Sequence, residues 1–266
     1  MTVLIATDLD RTLIYSRAGL ELAPGATVAL DCVEVHEGKQ SSFMTAAAAL
    51  TLTEIAQRAT VIAVTTRTVE QLGRVQLPGP KPTFAVAANG GVIVVAGERD
   101  RFWTRQVRKQ LAESTPLAEV WRHLGAVCNP EWTIKLRNAD QLFCYAVIDR
   151  SKIPDGFLAE VTAWADGHGW STSLQGRKLY WVPKLLTKSG AVAEVADRIG
   201  AETVIAAGDS LLDRDLLLAA DRAIMPRHGE LFASGWSAPG VELTGTSGVL
   251  AGQEIASWFA AQLGPL

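Results

Sequence analysis

The chain keeps one rhythm at both ends and drops it in the middle, and this break constrains the fold more than any other feature. Up to about residue 95, "VLIATD" reads as a buried strand and "TAAAALTLTEIAQRA" (45–59) as a helix. "TVIAVTT" (60–66) reads as a second strand, "TVEQLGRV" as a second helix, and "TFAVAANGGVIVV" as a strand with a turn at Asn89-Gly90-Gly91. Apolar runs of strand length separated by helical segments predict a parallel sheet covered on both faces. "TVALDCVEVHEGKQSSF" (27–43) fits that alternation poorly and reads as a hairpin or flap projecting from the first crossover. From residue 182 the first style returns, with helix 188–199, buried strand "TVIAAGD", helix 210–220 and a closing helix in "SGVLAGQEIASWFAAQL".

The middle, 96–181, carries six of the eight tryptophans. A helix over 103–124 leads to two strands around an Asn-Ala-Asp turn in "WTIKLRNADQLFCYAVID". A helix over 155–168 then leads to two strands around a glycine in "STSLQGRKLYWV". This is a small antiparallel sheet backed by helices on one face, with the tryptophans as its packed core rather than a stacking platform. The expected architecture is therefore α/β: a doubly wound parallel-sheet core from 1–95 and 182–266, with an α+β domain inserted at 96–181.

Composition narrows the function classes. The 266 residues are 48% hydrophobic and 20% charged, with a formal net charge of -3, and the sequence pI is near 5.9. This gives no reason to expect nucleic acid or an anionic membrane as partner. No basic segment precedes the first apolar run, and Asp8 interrupts it early, so it does not read as a signal peptide. The three cysteines, Cys32, Cys128 and Cys144, match no metal-ligand spacing and read as free thiols of a reducing cytosol. The four scattered histidines do not suggest a zinc site.

The polar residues gather where the strands end. Residues two apart in an extended chain point to the same side, so Asp8 and Asp10 of "DLDRT" repel unless something positive lies between them. Ligands of open α/β sheets bind outside the carboxyl ends of the strands. There "TTR" follows the second strand, "GDSLLD" follows the strand at 203–207, and Lys188 opens the preceding helix. Four carboxylates without histidine or thiolate suit Mg²⁺ and a phosphorylated ligand, and one carboxylate is left to attack phosphorus. Singly, these residues have plainer readings. Asp8, Asp10 and Thr65 could be turn residues, Asp209 a helix N-cap, and Asn89 part of a tight turn. Lys184 competes with Lys188, which is preferred because it opens a helix.

Taken together and in order, "DLDRT", "VIAVTTR", "TKSGAV" and "GDSLLD" resemble the four motifs of the haloacid dehalogenase (HAD) superfamily. The position of the insert resembles the Cof-type branch, whose Rossmann-like core carries an α/β cap. The resemblance implies Asp8 as nucleophile and Mg²⁺ ligand. It implies Asp10 as acid/base that also reaches the metal through its backbone carbonyl. Thr65 and Lys188 would hold the phosphoryl group, and Asp209 and Asp213 the metal. Thr12, Thr66, Arg67 and Asn89 fall on the substrate side. Two residues depart from the pattern: Leu212 stands where asparagine is usual, and Arg11 where glycine is frequent.

In "WTIKLRN", Lys135 and Arg137 alternate with apolar residues, which puts them on the open face of the cap sheet. Arg177 or Lys178 of the neighbouring strand joins them, and Arg177 completes the set of candidate substrate contacts. Such a roof suits a sugar phosphate or a phosphorylated sugar acid. The expected activity is Mg²⁺-dependent phosphatase action on a small molecule in the cytoplasm, by a monomer or homodimer. A phosphomutase is the alternative within enzymes. A receiver-like phospho-aspartate domain or an inactive binding protein is the alternative outside them.

Overall fold

The computed structural model describes residues 2–264. In chain order the elements are β1 (Val3–Thr7), β2 (Leu30–His36), β3 (Lys39–Thr45), α1 (Ala46–Ile55), β4 (Thr60–Ala63), α2 (Val69–Leu72), β5 (Phe84–Ala87), β6 (Val92–Val95) and β7 (Glu98–Arg99). They continue with α3 (Arg101–Leu111), α4 (Leu117–Val127), β8 (Thr133–Ala139), β9 (Phe143–Ile148), α5 (Phe157–Gly167), β10 (Trp170–Gln175) and β11 (Lys178–Pro183). Last come α6 (Lys188–Ile199), β12 (Thr203–Ala207), α7 (Arg214–Ala219), β13 (Arg222–Met225), α8 (Gly229–Ala233), β14 (Val241–Leu243) and α9 (Gly248–Gln262).

The main sheet is parallel, in the order β14-β13-β12-β1-β4. A parallel bridge between Val64 and Val86 brings β5 beside β4. Both faces are covered, as a parallel sheet requires. Ile5, Ala63, Ile205 and Ile224 pack with α1 and α9, while Leu4, Ala6, Ile62 and Ala206 pack with α6 and α7. This places β1 at the centre, so that its C-terminal end opens between β12 and β4.

The second sheet is antiparallel, in the order β10-β11-β9-β8. Trp132, Trp170 and Trp181 are buried in its core, in line with the reading of these tryptophans as packing. The single helix expected over 103–124 is two helices, α3 and α4. Pro116 precedes α4, where its fixed φ suits a helix start and its missing N–H ends the preceding pattern. Likewise the helix expected over 210–220 is a 3₁₀ turn at Leu211–Asp213 followed by the short α7. The 27–43 segment forms the expected hairpin, β2–β3. No helix among the described residues is long and apolar enough to cross a membrane.

Hydrogen bonds draw the second sheet down onto the first. The Glu230 carboxylate of α8 accepts from Ser173 Oγ (2.5 Å) and Leu174 N (2.8 Å) of β10, and from Leu211 N (3.0 Å) beside the end of β12. On the other side, Asp140 in the β8–β9 turn pairs with Arg99 and accepts from Val69 N (3.1 Å) at the start of α2. Gln71 Nε2 donates to Tyr145 Oη at 3.3 Å.

Candidate active site

β1 runs apolar to Thr7 and delivers Asp8 to the sheet edge, where its backbone N–H still bonds Ala207 O of β12 (2.9 Å). The chain then turns tightly. Arg11 holds a left-handed φ of 63°, which accounts for glycine being the easier residue there. Its carbonyl accepts from Tyr15 Oη (3.0 Å) and from His228 Nε2 (2.7 Å), and these bonds help hold the turn. On the other side of β1, β12 delivers Asp209. Thr187 caps α6, which fixes Lys188 as its first residue.

These placements bring the four main candidates together. Asp8, Lys188, Asp209 and Asp213 are each 5% exposed or less. Lys188 Nζ donates to Asp8 Oδ1 at 2.7 Å and also pairs with Asp213. Thr12 Oγ1 lies 3.4 Å from Asp8 Oδ2. Asp8, Asp209 and Asp213 offer carboxylate oxygens within 4.8 Å of one another. Asp213 is already fully engaged, because its Oδ2 accepts from Asp209 N (3.1 Å), Ser210 N (2.9 Å) and Ser210 Oγ (2.7 Å). Its place is to hold Lys188 and the Asp209 loop. Leu212 is buried in the neighbouring apolar core, and these hydroxyl and amide bonds support the loop where a polar residue is usual.

Asp209 is the carboxylate without support. Among the described residues no hydrogen bond reaches it, and it faces Arg11 Nε at 3.6 Å. Gly229, at φ +86°, closes the wall beside it, where an added Cβ would come within 2.5 Å of its Oδ2. Burial pushes the Asp209 carboxyl well up, and the Asp8 charge adds to this. Burial likewise raises Asp8 to about 7 against the pull of Lys188. Three buried carboxylates face one lysine and the Arg11 guanidinium, which is itself shared with Glu21; this all-oxygen donor set is still short of positive charge, which fits a hard divalent cation such as Mg²⁺.

Asp10 lies apart from this cluster. Its carboxylate, 41% exposed, takes a bidentate pair from Arg67 (Nε–Oδ2 2.7 Å, Nη2–Oδ1 2.8 Å). Burial acts to raise it, but Arg67 outweighs burial and holds it down at about 2. The other side of the same guanidinium grips Glu34 (Nη1–Oε1 2.9 Å, Nη2–Oε2 3.0 Å). Glu34 is itself buried in the β2–β3 hairpin and accepts from Ser42 Oγ at 2.5 Å. The sequence reading missed Glu34; its only signal is a charged residue among the valines of "CVEV".

Thr65 and Thr66 are buried at the end of β4, and Thr65 Oγ1 accepts from Arg67 N at 3.1 Å. Asn89 takes another direction. With φ 55° it turns Nδ2 to Leu186 O (2.9 Å), and so ties the core to the segment before α6. Arg177 is also displaced, exposed in the turn before β11. The register explains this. Tyr145 pairs with both Arg137 and Tyr180, and directly opposed residues share a face. That face therefore carries Lys135, Arg137, Tyr145, Lys178 and Tyr180, and Lys178 replaces Arg177 on it. Lys178 Nζ sits 5.8 Å from the Tyr145 ring centre. Tyr180 and then Asp10 hold its ammonium protonated against burial. Lys135 and Arg137 lie on the edge strand and are exposed.

This arrangement is an acidic floor at the C-terminal edge of a parallel sheet, a buried lysine within it, and a basic, phenol-lined roof above. The same fold occurs in solved phosphatases. A sucrose-phosphatase from Synechocystis, solved with sucrose and phosphate, superposes with a TM-score of 0.62 at 14% identity, covering 98% of this chain and 99% of the other. The C-terminal domain of a Candida albicans trehalose-6-phosphate phosphatase gives 0.61 at 11% identity, covering 98% and 92%. A phosphatase of the HAD superfamily from Bacteroides thetaiotaomicron gives 0.55 at 16%, covering 98% and 96%.

The chain has the fold of these phosphatases. No protein-family model and no curated protein sequence matches it.

Proposed function

We propose that this chain is a Mg²⁺-dependent phosphatase that hydrolyses a small phosphomonoester, a sugar phosphate or a phosphorylated sugar acid, through an aspartyl-phosphate on Asp8. The division into a core of 1–95 and 182–266 and a substrate-selecting cap of 96–181 belongs to this reading, as does action in the cytoplasm. The observation that carries it is the buried Asp8–Lys188–Asp209 cluster at the end of the central strand, beneath a cap face bearing Lys178. The solved neighbours with sugar-phosphate names support the substrate class.

Asp8, Asp209 and the Asp10 carbonyl would hold the cation, which neutralises charge on the phosphoryl oxygens when bound. The remaining work falls to the protein. Lys188 orients Asp8 and meets the phosphoryl charge, and Thr65 donates a hydrogen bond to it. An Asp8 oxygen forms a bond to phosphorus as the bond to the leaving oxygen breaks, and Asp10 gives that oxygen a proton. Asp10 then takes a proton from water as the water attacks the aspartyl-phosphate, releasing phosphate and restoring Asp8.

Asp10 bound to Arg67 is held ionised, so its acid role requires the guanidinium to let go. Glu34 already holds the other side of Arg67 and can keep it when Asp10 turns to substrate. The test is a screen of sugar phosphates, phosphorylated sugar acids and nucleotides, with Mg²⁺ and with EDTA. Mg²⁺-dependent release of phosphate from the first two classes is expected. Absence of release from every class, or full activity in EDTA, would overturn the reading.

A further inference from the structure

A second charge imbalance, of the opposite sign, lies outside this site. Helix α3 reads "RFWTRQVRKQL", with four cations and no acid. Arg101, Arg105 and Arg108 recur at helical spacing on one exposed face. Like charges at these separations repel, and Arg101 stands in the first turn, where the helix dipole disfavours a cation. Among the described residues none of the three forms an ion pair, whereas Asp100 at the N-cap spends its charge on Arg198. With Arg99 of β7 and Thr104 the three arginines surround one hollow of about 560 Å³, whose single carboxylate is that of Glu98.

We infer that this hollow is a binding site for a small polyanion carrying two or more phosphoryl groups, separate from the acidic floor. Four guanidiniums around one hollow can offer paired donors to phosphoryl oxygens from several sides. A hollow of about 560 Å³ suits a compact polyanion rather than a long one. The hollow lies in the cap segment and is also tied to the cap sheet and, through it, to α2 of the core. Arg99 lines the hollow and pairs with Asp140, the residue that pins the β8–β9 turn to α2. An occupant therefore competes with Asp140 for Arg99.

The inference stands apart from the proposed hydrolysis, and its test uses binding alone. Tripolyphosphate is titrated calorimetrically into the full chain in EDTA and about 0.15 M salt, which screens loose surface attraction. Saturable binding is expected, weakened about tenfold or more by Arg105→Ala and by Arg101→Ala and unchanged by Arg122→Ala on α4. Asp140→Asn, which keeps a hydrogen-bond partner for Val69 N but frees Arg99, should tighten it several-fold. Equal weakening by Arg122→Ala would reduce the effect to diffuse charge and overturn the site. So would no binding at this salt, or full affinity in Arg101→Ala and Arg105→Ala. Binding of RNA or heparin without any response to tripolyphosphate would overturn the small-anion class. Unchanged affinity in Asp140→Asn would remove Arg99 from the site, and with it the tie to the cap sheet and α2.

Discussion

The floor and the roof of the cleft are built in opposite ways. On the floor, the lysine and two of the acids are buried and interlocked: Lys188 between Asp8 and Asp213, and Asp213 bonded to the backbone of Asp209 and Ser210. On the roof, Lys135 and Arg137 stand on an edge strand in solvent, and only Lys178 is drawn toward the floor. A buried charge is tolerated only where partners surround it, so Asp8, Lys188 and Asp213 are fixed in type and position by one another. Exposed cations carry no such condition. The contrast suits chemistry that must be pre-organised beneath recognition that can vary.

The largest effects should therefore come from the floor. Lys188→Ala leaves buried carboxylates unpaired, with an expected loss of about 3–5 kcal/mol in stability by denaturant melts as well as loss of turnover. A variant as stable as the native chain would break the contrast at its base. Asp10→Asn should slow hydrolysis of an alkyl phosphate by roughly two to four powers of ten. The transfer step from an aryl phosphate, whose leaving group needs no proton, should lose much less. Equal losses on both substrates would remove Asp10 from the acid role.

The roof should respond more mildly and selectively. Lys178→Ala is expected to raise KM for the best sugar phosphate by roughly tenfold or more while sparing a small aryl phosphate. Lys135→Ala and Arg137→Ala should cost only a few-fold, on the same substrate alone. If these two outweigh Lys178, the exposed edge rather than the buried strand is the recognising element.

A pH titration sharpens the electrostatics of the floor. The Asp8 carboxyl is raised from 3.8 to about 7, chiefly by burial. Between those values the native chain holds a proton that the unfolded chain has lost, so stability falls as pH rises across that window. Thermal melts in EDTA should show Tm dropping by several degrees from pH 4.5 to 7. Added Mg²⁺ should reverse the drop by binding the ionised form. Asp10, held at about 2, acts in the other sense: its contribution is present above 3.8 and lost only as pH falls toward 2. A Tm that rises steadily from pH 4.5 to 7 in EDTA would contradict the assignment for Asp8.

Local physics made much of this legible in the sequence. A strand ending in two acids, a lysine opening a helix and a second acidic loop each sit at an element boundary that the sequence marks, so Asp8, Lys188 and Asp209 could be placed. What escaped depends on register. Glu34 reaches Arg67 through a β-bulge, where the β2–β3 pairing shifts on either side of it. A bulge re-aims one side chain and leaves no pattern in composition. The choice between Arg177 and Lys178 is a one-residue question, and one residue flips the face; the Gly176 turn decides it. β13 and β14 were not anticipated because "RAIM" and "VEL" are too short for any period to show. Pro116 itself marks the break between α3 and α4.

The most direct measurement is to quench the enzyme with acid during turnover of its best substrate and to map the phosphoryl group by mass spectrometry of the peptides. The account predicts one phosphoryl group on Asp8, formed within the first turnover, and none in Asp8→Asn. Turnover with the phosphoryl group on another residue, or undiminished turnover in Asp8→Asn, would contradict it.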